Sequence, residues 1–173
     1  MEGERQRREM SAAVLKTALA IEEFGINFYS EMSECVADSR GAALLRSLGN
    51  DEREHLRIIQ KELDHLDREG MAEEVEPLQE YLRILPERVF VRPKGACLAL
   101  NDEIAALEKG LEVEVNSINM YQDALTRALE PRARSSLEEL ARWEVKHKEI
   151  LEENLRSLRL EGAWYGYGPI LEG

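Results

Sequence analysis

The stretch NDEREH at residues 50–55 carries a Glu-x-x-His motif, Glu52 and His55, which returns 92 positions later as Glu144 and His147 (144−52 and 147−55). Residues three apart in a helix lie on the same face, so each motif projects a carboxylate and an imidazole side by side. An internal repeat in constant register indicates a duplicated architecture. The motif is therefore evidence for a duplicated fold and for a site formed by these side chains.

Further residues around the motif repeat at the same shift. Glu22 and Tyr29 return as Glu114 and Tyr121. Several apolar positions are also identical in the two halves, namely Leu15 and Leu107, Leu45 and Leu137, Leu48 and Leu140, Ile58 and Ile150, and Leu63 and Leu155. A duplicated core needs its apolar residues twice, but packing gives no reason to repeat glutamate and histidine. The repeat thus predicts a duplicated site inside a duplicated fold.

The composition narrows the class of protein. The chain has 173 residues, of which 43% are hydrophobic and 34% charged, a balance that suits one domain (residues 1–173) built from amphipathic helices. The net charge of −12 argues against a nucleic-acid partner, because there is no basic stripe to displace phosphate counterions. The short basic run near Arg7 lies in an N-terminus that we expect to fray.

The hydropathy pattern and the cysteine positions constrain the expected cellular location and redox chemistry of the protein. No apolar run reaches the roughly 18 residues of a membrane span, and the charged N-terminus lacks a signal peptide, so we expect a cytoplasmic protein without a membrane partner. Cys35 and Cys97 form no Cys-x-x-Cys pair. The sequence therefore offers neither a zinc ribbon nor a rubredoxin-type iron site of its own.

Apolar spacing with a helical period predicts four long helices, at about residues 11–36, 41–68, 101–129 and 131–160. The first two and the last two are joined by short connections, which make each pair an antiparallel hairpin. Between the pairs lies a link at about 70–99, with β-like residues at 89–91 and a short helix expected near 78–84. An aromatic tail at 162–173 should fold back over an apolar seam or a partner subunit.

These elements define the expected fold class. A helix of 26 residues is about 39 Å long, and an extended link of 30 residues can cover that distance. We predict an all-α four-helix bundle of two duplicated antiparallel hairpins joined by one long crossover, with the second and third helices parallel.

The repeated polar residues predict a metal site in this bundle. Each helix directs one carboxylate inward, and four buried carboxylates must be paired, protonated or bound to a cation. Two divalent cations would balance the four charges. Oxygen and nitrogen ligands suit iron or manganese, with zinc as a less natural occupant. Tyr29 and Tyr121 follow their glutamates by two turns on the same face and are placed to donate hydrogen bonds to ligand carboxylates.

Simpler interpretations compete with the metal site. A single Glu-x-x-His in a glutamate-rich helix is weak evidence, and Asp51 allows an ordinary helix pair with His55. Trp143 stands at the repeat position of Asp51, which favours packing or an interface. A purely structural helical dimer is a third interpretation. The conjunction of both motifs in register, each with its upstream Glu and Tyr, favours the metal site.

The segments IEEFGINFY (21–29) and NDEREH (50–55) resemble the rubrerythrin branch of the ferritin superfamily, and the resemblance extends over about residues 11–160. It implies a ferritin-like bundle in which two helices each give one Glu and two give Glu-x-x-His. The ligands it implies for two iron ions are Glu22, Glu52, His55, Glu114, Glu144 and His147. It also implies that Glu52 and Glu144 bridge the metals and are the catalytic carboxylates.

The same resemblance sets the functional expectations. It implies an oxidoreductase, a peroxidase or ferroxidase that reacts ferrous iron with hydrogen peroxide or oxygen. The family's C-terminal rubredoxin domain has no counterpart in these residues, so the electrons must come from an external donor such as a rubredoxin. The family's extra third-helix carboxylate, tied to iron movement, is replaced by Ser117. A non-catalytic iron-binding, storage or sensing protein is the alternative, and a homodimer is expected in either case.

Overall fold

The computed structural model describes residues 2–67, 75–83, 85, 100–127 and 129–166. Within these ranges the chain forms five helices and no strand. They are α1 (Glu2–Cys35), α2 (Ser39–Asp67), α3 (Gln79–Leu82), α4 (Leu100–Thr126) and α5 (Pro131–Glu161). The all-α prediction is confirmed, and the four long helices lie close to their predicted positions.

The start of α1 corrects the expectation of a frayed N-terminus. The helix begins at Glu2, nine residues before the predicted start at residue 11 (11−2). Two ion pairs, each between residues one helical turn apart, support this extension. Arg5 Nε lies 2.8 Å from Glu9 Oε1, and Arg8 Nη2 lies 3.2 Å from Glu4 Oε1. Such pairs and acidic residues in the first turn stabilise an exposed helix. Apolar periodicity could not predict this part of the helix, because the segment is polar.

The ends of α5 follow from its sequence. Pro131 opens the helix, where its missing N–H leaves no additional group unpaired, as predicted. Gly162 closes it in the left-handed region (φ 67°), and its N–H donates to Leu158 O. The preceding helix, α4, ends at Thr126 and not at the predicted residue 129.

Contacts across the bundle fix the direction of the helices. The Tyr29 hydroxyl of α1 reaches Glu114 of α4, and the Tyr121 hydroxyl of α4 reaches Glu22 of α1. The later residue of one helix therefore meets the earlier residue of the other, so α1 and α4 are antiparallel. Since α1 is also antiparallel to α2 in its hairpin, α2 and α4 run parallel, as predicted. Parallel neighbours require a connection that returns along the whole bundle.

The described part of the crossover lies against α1. Lys16 Nζ donates to Val75 O at 2.8 Å, and the Leu78 N–H donates to Thr17 Oγ1 at 2.7 Å. The short helix expected near 78–84 is present as α3. The predicted β-like residues 89–91 lie outside the described residues.

The core forms two apolar clusters, one on each side of the middle of the bundle. The first joins the N-terminal half of α1 to the C-terminal ends of α2 and α4 and to the first part of α5, and includes Leu15, Leu63, Leu66, Met120 and Leu137. The second joins the other ends and includes Phe28, Met32, Leu45, Leu107, Leu155 and Trp164. Burial of each large side chain contributes roughly 1.5–3 kcal/mol. The two clusters pack the four helices together on either side of the polar middle.

The beginning of the tail folds back onto the bundle, as predicted. Trp164 is 1% exposed, and its indole N–H donates to Glu103 Oε2 at 3.0 Å. The Gly166 N–H donates to Asn154 Oδ1 at 2.9 Å. A Cβ added to Gly41 would lie 2.3 Å from Trp164 Cδ2, so α2 needs a glycine where the indole crosses it. Residues 167–173 lie outside the described part.

Candidate metal centre

The middle of the bundle holds every residue that the sequence predicted as a metal ligand. These residues are Glu22 on α1, Glu52 and His55 on α2, Glu114 on α4, and Glu144 and His147 on α5. All six are no more than 2% exposed, although glutamate is almost never fully buried without a partner. The two core clusters cover this layer from both ends of the bundle.

The six residues divide into two groups of four that share two members. In each group one nitrogen or oxygen per residue lies within 4.8 Å of the others. One group is Glu22, Glu52, His55 and Glu144, and the other is Glu52, Glu114, Glu144 and His147. Glu52 and Glu144 belong to both groups, which places their carboxylates between two candidate metal positions.

The imidazoles point Nδ1 into the centre. His55 Nδ1 lies 3.2 Å from Glu22 Oε2, 3.0 Å from Glu52 Oε2 and 3.1 Å from Glu144 Oε1. His147 Nδ1 lies 3.2 Å from Glu52 Oε1 and 3.8 Å from Glu144 Oε2. The two rings are nearly parallel, with centroids 5.3 Å apart and planes at 20°. Both nitrogens thus converge on the shared carboxylates.

Three of these converging atoms lie at ion-pair distance from other members of the cluster but make no hydrogen bond of acceptable geometry among the described residues. They are Glu52 Oε2, Glu144 Oε1 and His147 Nδ1. Burial, followed by repulsion from neighbouring carboxylates, raises the pKa of Glu52 and raises that of Glu114 further. Burying converging nitrogen and oxygen atoms without hydrogen bonds costs free energy. A divalent cation bound between them would use the same atoms as its ligands. The residues present therefore fit a metal site.

Two tyrosines complete the centre by binding carboxylates of the opposite hairpin. The Tyr29 hydroxyl donates to Glu114 Oε1, and the Tyr121 hydroxyl donates to Glu22 Oε1. Burial raises the pKa of both phenols, so they stay neutral donors. The sequence placed both tyrosines on the site face, and the structure adds which carboxylate each one orients.

Asp51 is a site residue whose partner the sequence did not reveal. The simple helix pair with His55 is corrected by the structure, because Asp51 Oδ2 lies 3.6 Å from His147 Nε2 on the neighbouring helix. Trp143, its counterpart in the repeat, stands beside His55 instead, with ring centroids 5.9 Å apart. The exchange of Asp for Trp at equivalent positions was the available signal.

Ser117 contributes no metal ligand. Its side chain is 3% exposed, and its hydroxyl donates to Val113 O of the same helix at 3.0 Å. The position three residues after Glu114 therefore adds neither charge nor a ligand oxygen to the cluster.

The sequence matches the Rubrerythrin family over residues 13–155, a span that contains all six clustered residues. The chain belongs to the rubrerythrin family. The resemblance of residues 21–29 and 50–55 to this family is thereby confirmed. In this rubrerythrin-family chain, the buried glutamates and histidines form a cluster of the kind that binds metal ions. No curated protein matches the sequence.

Two solved structures show the same ferritin-like fold. One is a two-domain protein from Anabaena variabilis ATCC 29413 with DJ-1/ThiJ/PfpI-like and ferritin-like domains, at a TM-score of 0.63 and 17% identity. The similarity covers 94% of this chain and 40% of that one. The other is a hypothetical protein from Pyrococcus furiosus, at a TM-score of 0.64 and 17% identity, covering 86% and 90% respectively.

None of the helices in the described ranges has the length and apolar character needed to cross a membrane. The cytoplasmic location and the homodimer stay predictions.

Proposed function

We propose that this protein holds two iron ions and reacts them, in the ferrous state, with hydrogen peroxide or oxygen, with an external donor returning the electrons. The observation that carries the proposal is the pair of four-residue groups that share Glu52 and Glu144. A shared carboxylate pair serves two metals at once, whereas a mononuclear site needs only one of the groups. Membership of the rubrerythrin family supports the same assignment.

Charge and donor type favour two divalent ions of iron or manganese. Four glutamates carry four negative charges, which two divalent cations neutralise, and the neutral imidazoles add one nitrogen to each group. Carboxylate and imidazole donors without a thiolate suit these metals better than the sulfur-rich sites of structural zinc. Glu22 and His55 would hold one ion, Glu114 and His147 the other, and Glu52 and Glu144 both.

The bound iron would supply one-electron steps, and two ferrous ions together provide the two electrons that convert hydrogen peroxide and two protons into two waters. The chain's own residues prepare the site for this. The Tyr29 and Tyr121 hydroxyls hold protons against Glu114 and Glu22 and fix those carboxylates. The apolar clusters keep bulk water from both ends of the centre, and the low exposure of the six side chains strengthens the electrostatic interactions inside.

The test is anaerobic stopped-flow mixing of the ferrous protein with hydrogen peroxide. We expect rapid oxidation of both irons in a single turnover, followed by a stall until an external donor such as a rubredoxin with its reductase is added. Equal ferrous iron without protein is the control for solution chemistry. A ferrous protein that reacts no faster than free iron would overturn the redox proposal.

A non-catalytic iron-binding, storage or sensing role is the second candidate, and Ser117 favours it. The serine hydroxyl is bonded to its own helix, so this position supplies no carboxylate that could follow a change in metal charge. A protein of this kind would bind two ions in the same site and leave them unreacted after peroxide is added.

A further inference from the structure

The two halves of the centre are alike in their clustered residues and differ behind the imidazoles. Asp51 and Trp143 occupy equivalent repeat positions (143−51 is again 92), each directly before a shared glutamate. Each side chain lies near the histidine of the other hairpin. The pseudo-symmetry of the centre is therefore broken at the outer nitrogens of the two imidazoles.

Behind His147 stands a carboxylate. Its Nδ1 faces the shared glutamates, and its outer Nε2 lies 3.6 Å from Asp51 Oδ2, within ion-pair distance but without a hydrogen bond. The Asp51 side chain is 30% exposed, whereas that of His147 is 1% exposed. A carboxylate behind a ligand imidazole fixes its tautomer and ring orientation and increases its basicity.

Behind His55 stands an indole. Among the described residues, His55 Nε2 has no hydrogen-bond partner, like His147 Nε2, and unlike His147 Nε2 it has no carboxylate at ion-pair distance. The Trp143 ring lies 5.9 Å from the imidazole at 57°, and Lys146 Nζ lies 4.8 Å above the same indole. A cavity of about 190 Å³ opens at this place, and His55, Trp143 and Asp51 all line it. An indole offers no acceptor to the imidazole N–H.

We propose that the two metal positions are inequivalent. The position on His147 binds its ion more tightly because Asp51 supports that imidazole. The position on His55 fills second and releases its ion first, next to the cavity. The inference rests on the proposed two-metal site. Loss of such an outer partner typically weakens metal affinity 10–100-fold, so the two dissociation constants should differ by at least about tenfold.

The test is an anaerobic titration of the metal-free protein with Co²⁺ against a competing chelator, followed by the visible absorption of bound cobalt. We expect two ions in two steps. Asp51→Asn should weaken the tighter step by about 10–100-fold, and Trp143→Asp should tighten the weaker step and bring the two constants together. Glu139→Gln, the loss of one charge from an exposed residue on the cavity wall, is the matched control and should change neither step.

The outcomes separate this inference from the proposed function. Failure of the protein to bind any cobalt, iron or manganese would overturn both. Two ions bound, with Asp51→Asn and Trp143→Asp both behaving like Glu139→Gln, would overturn only the inequivalence. Circular dichroism of each variant shows whether the bundle is intact, and Trp143, at 37% exposure, is a position where a polar residue can be accommodated.

Discussion

Glu52 and Glu144 are the residues on which the two halves of the centre converge, and their removal should cost more metal than removal of any other carboxylate. Since each lies in both groups of candidate ligands, Glu52→Ala or Glu144→Ala should leave the protein with close to no metal. Glu22→Ala should retain close to one ion per chain. Metal content after anaerobic reconstitution and gel filtration measures the difference.

The control for this series is Glu23→Ala, which removes an exposed glutamate adjacent to Glu22. It should retain the full metal content. Equal losses from Glu22→Ala and Glu52→Ala would contradict the assignment of the bridging carboxylates.

Tyr29 and Tyr121 should act on metal affinity without forming part of the ligand set. Substitution by phenylalanine keeps the buried ring but leaves Glu114 or Glu22 without its hydroxyl donor. We expect each single substitution to weaken metal binding by about 10–100-fold, measured by chelator competition. Tyr165→Phe is the matched control, because that ring is 54% exposed. An unchanged affinity in both buried variants would show that the hydroxyls do not orient the carboxylates.

At the scale of elements, α2 and the tail constrain each other at Gly41. Alanine usually stabilises a helix relative to glycine by up to about 1 kcal/mol. At Gly41 the added methyl would collide with the Trp164 ring, whose Cδ2 lies 2.3 Å from the Cβ position. Gly41→Ala should therefore destabilise the protein. Trp164→Ala should lower the free energy of unfolding by about 3–5 kcal/mol, because the indole fills the second core cluster.

Combining the two substitutions distinguishes a collision from a propensity effect. In the Trp164→Ala background, Gly41→Ala should become neutral or stabilising, as urea unfolding of the metal-free protein would show. Gly3→Ala is the control, since no atom lies within 4 Å of its added Cβ. A Gly41→Ala effect that is the same in both backgrounds would mean that the indole is not its cause.

The elements also show how much of the structure can be predicted from the sequence. Apolar periodicity located the four long helices, because burial selects one face of each, and the repeat located all six clustered residues. Periodicity gave no sign of the first nine residues of α1, which are held by ion pairs within the helix. The pairing of Asp51 with His147 was equally hidden, since it depends on the rotation and axial offset of two neighbouring helices.

For the whole molecule, the metal-free centre contains groups that hold their protons more tightly in the folded chain than in the unfolded chain. Burial raises the pKa of Glu52 and Glu114. Burial lowers the pKa of His147, but its contacts with Asp51 and Glu52 outweigh this effect and raise the pKa overall. All three groups therefore bind protons more tightly in the folded than in the unfolded chain. Their contribution is present at low pH and is lost as the pH rises through the raised pKa values.

A bound metal replaces these protons, so the stability that metal adds should grow with pH. Each displaced proton steepens the gain by about 1.4 kcal/mol per pH unit. Urea unfolding with and without Co²⁺ at constant free metal, between pH 5.5 and 8, measures this gain. Surface groups contribute equally to both curves and cancel. Glu114→Gln removes one titrating group together with one proposed ligand, so it should lower the gain and flatten its dependence on pH. A gain that is constant across this range would mean that the metal-free centre holds no exchangeable protons.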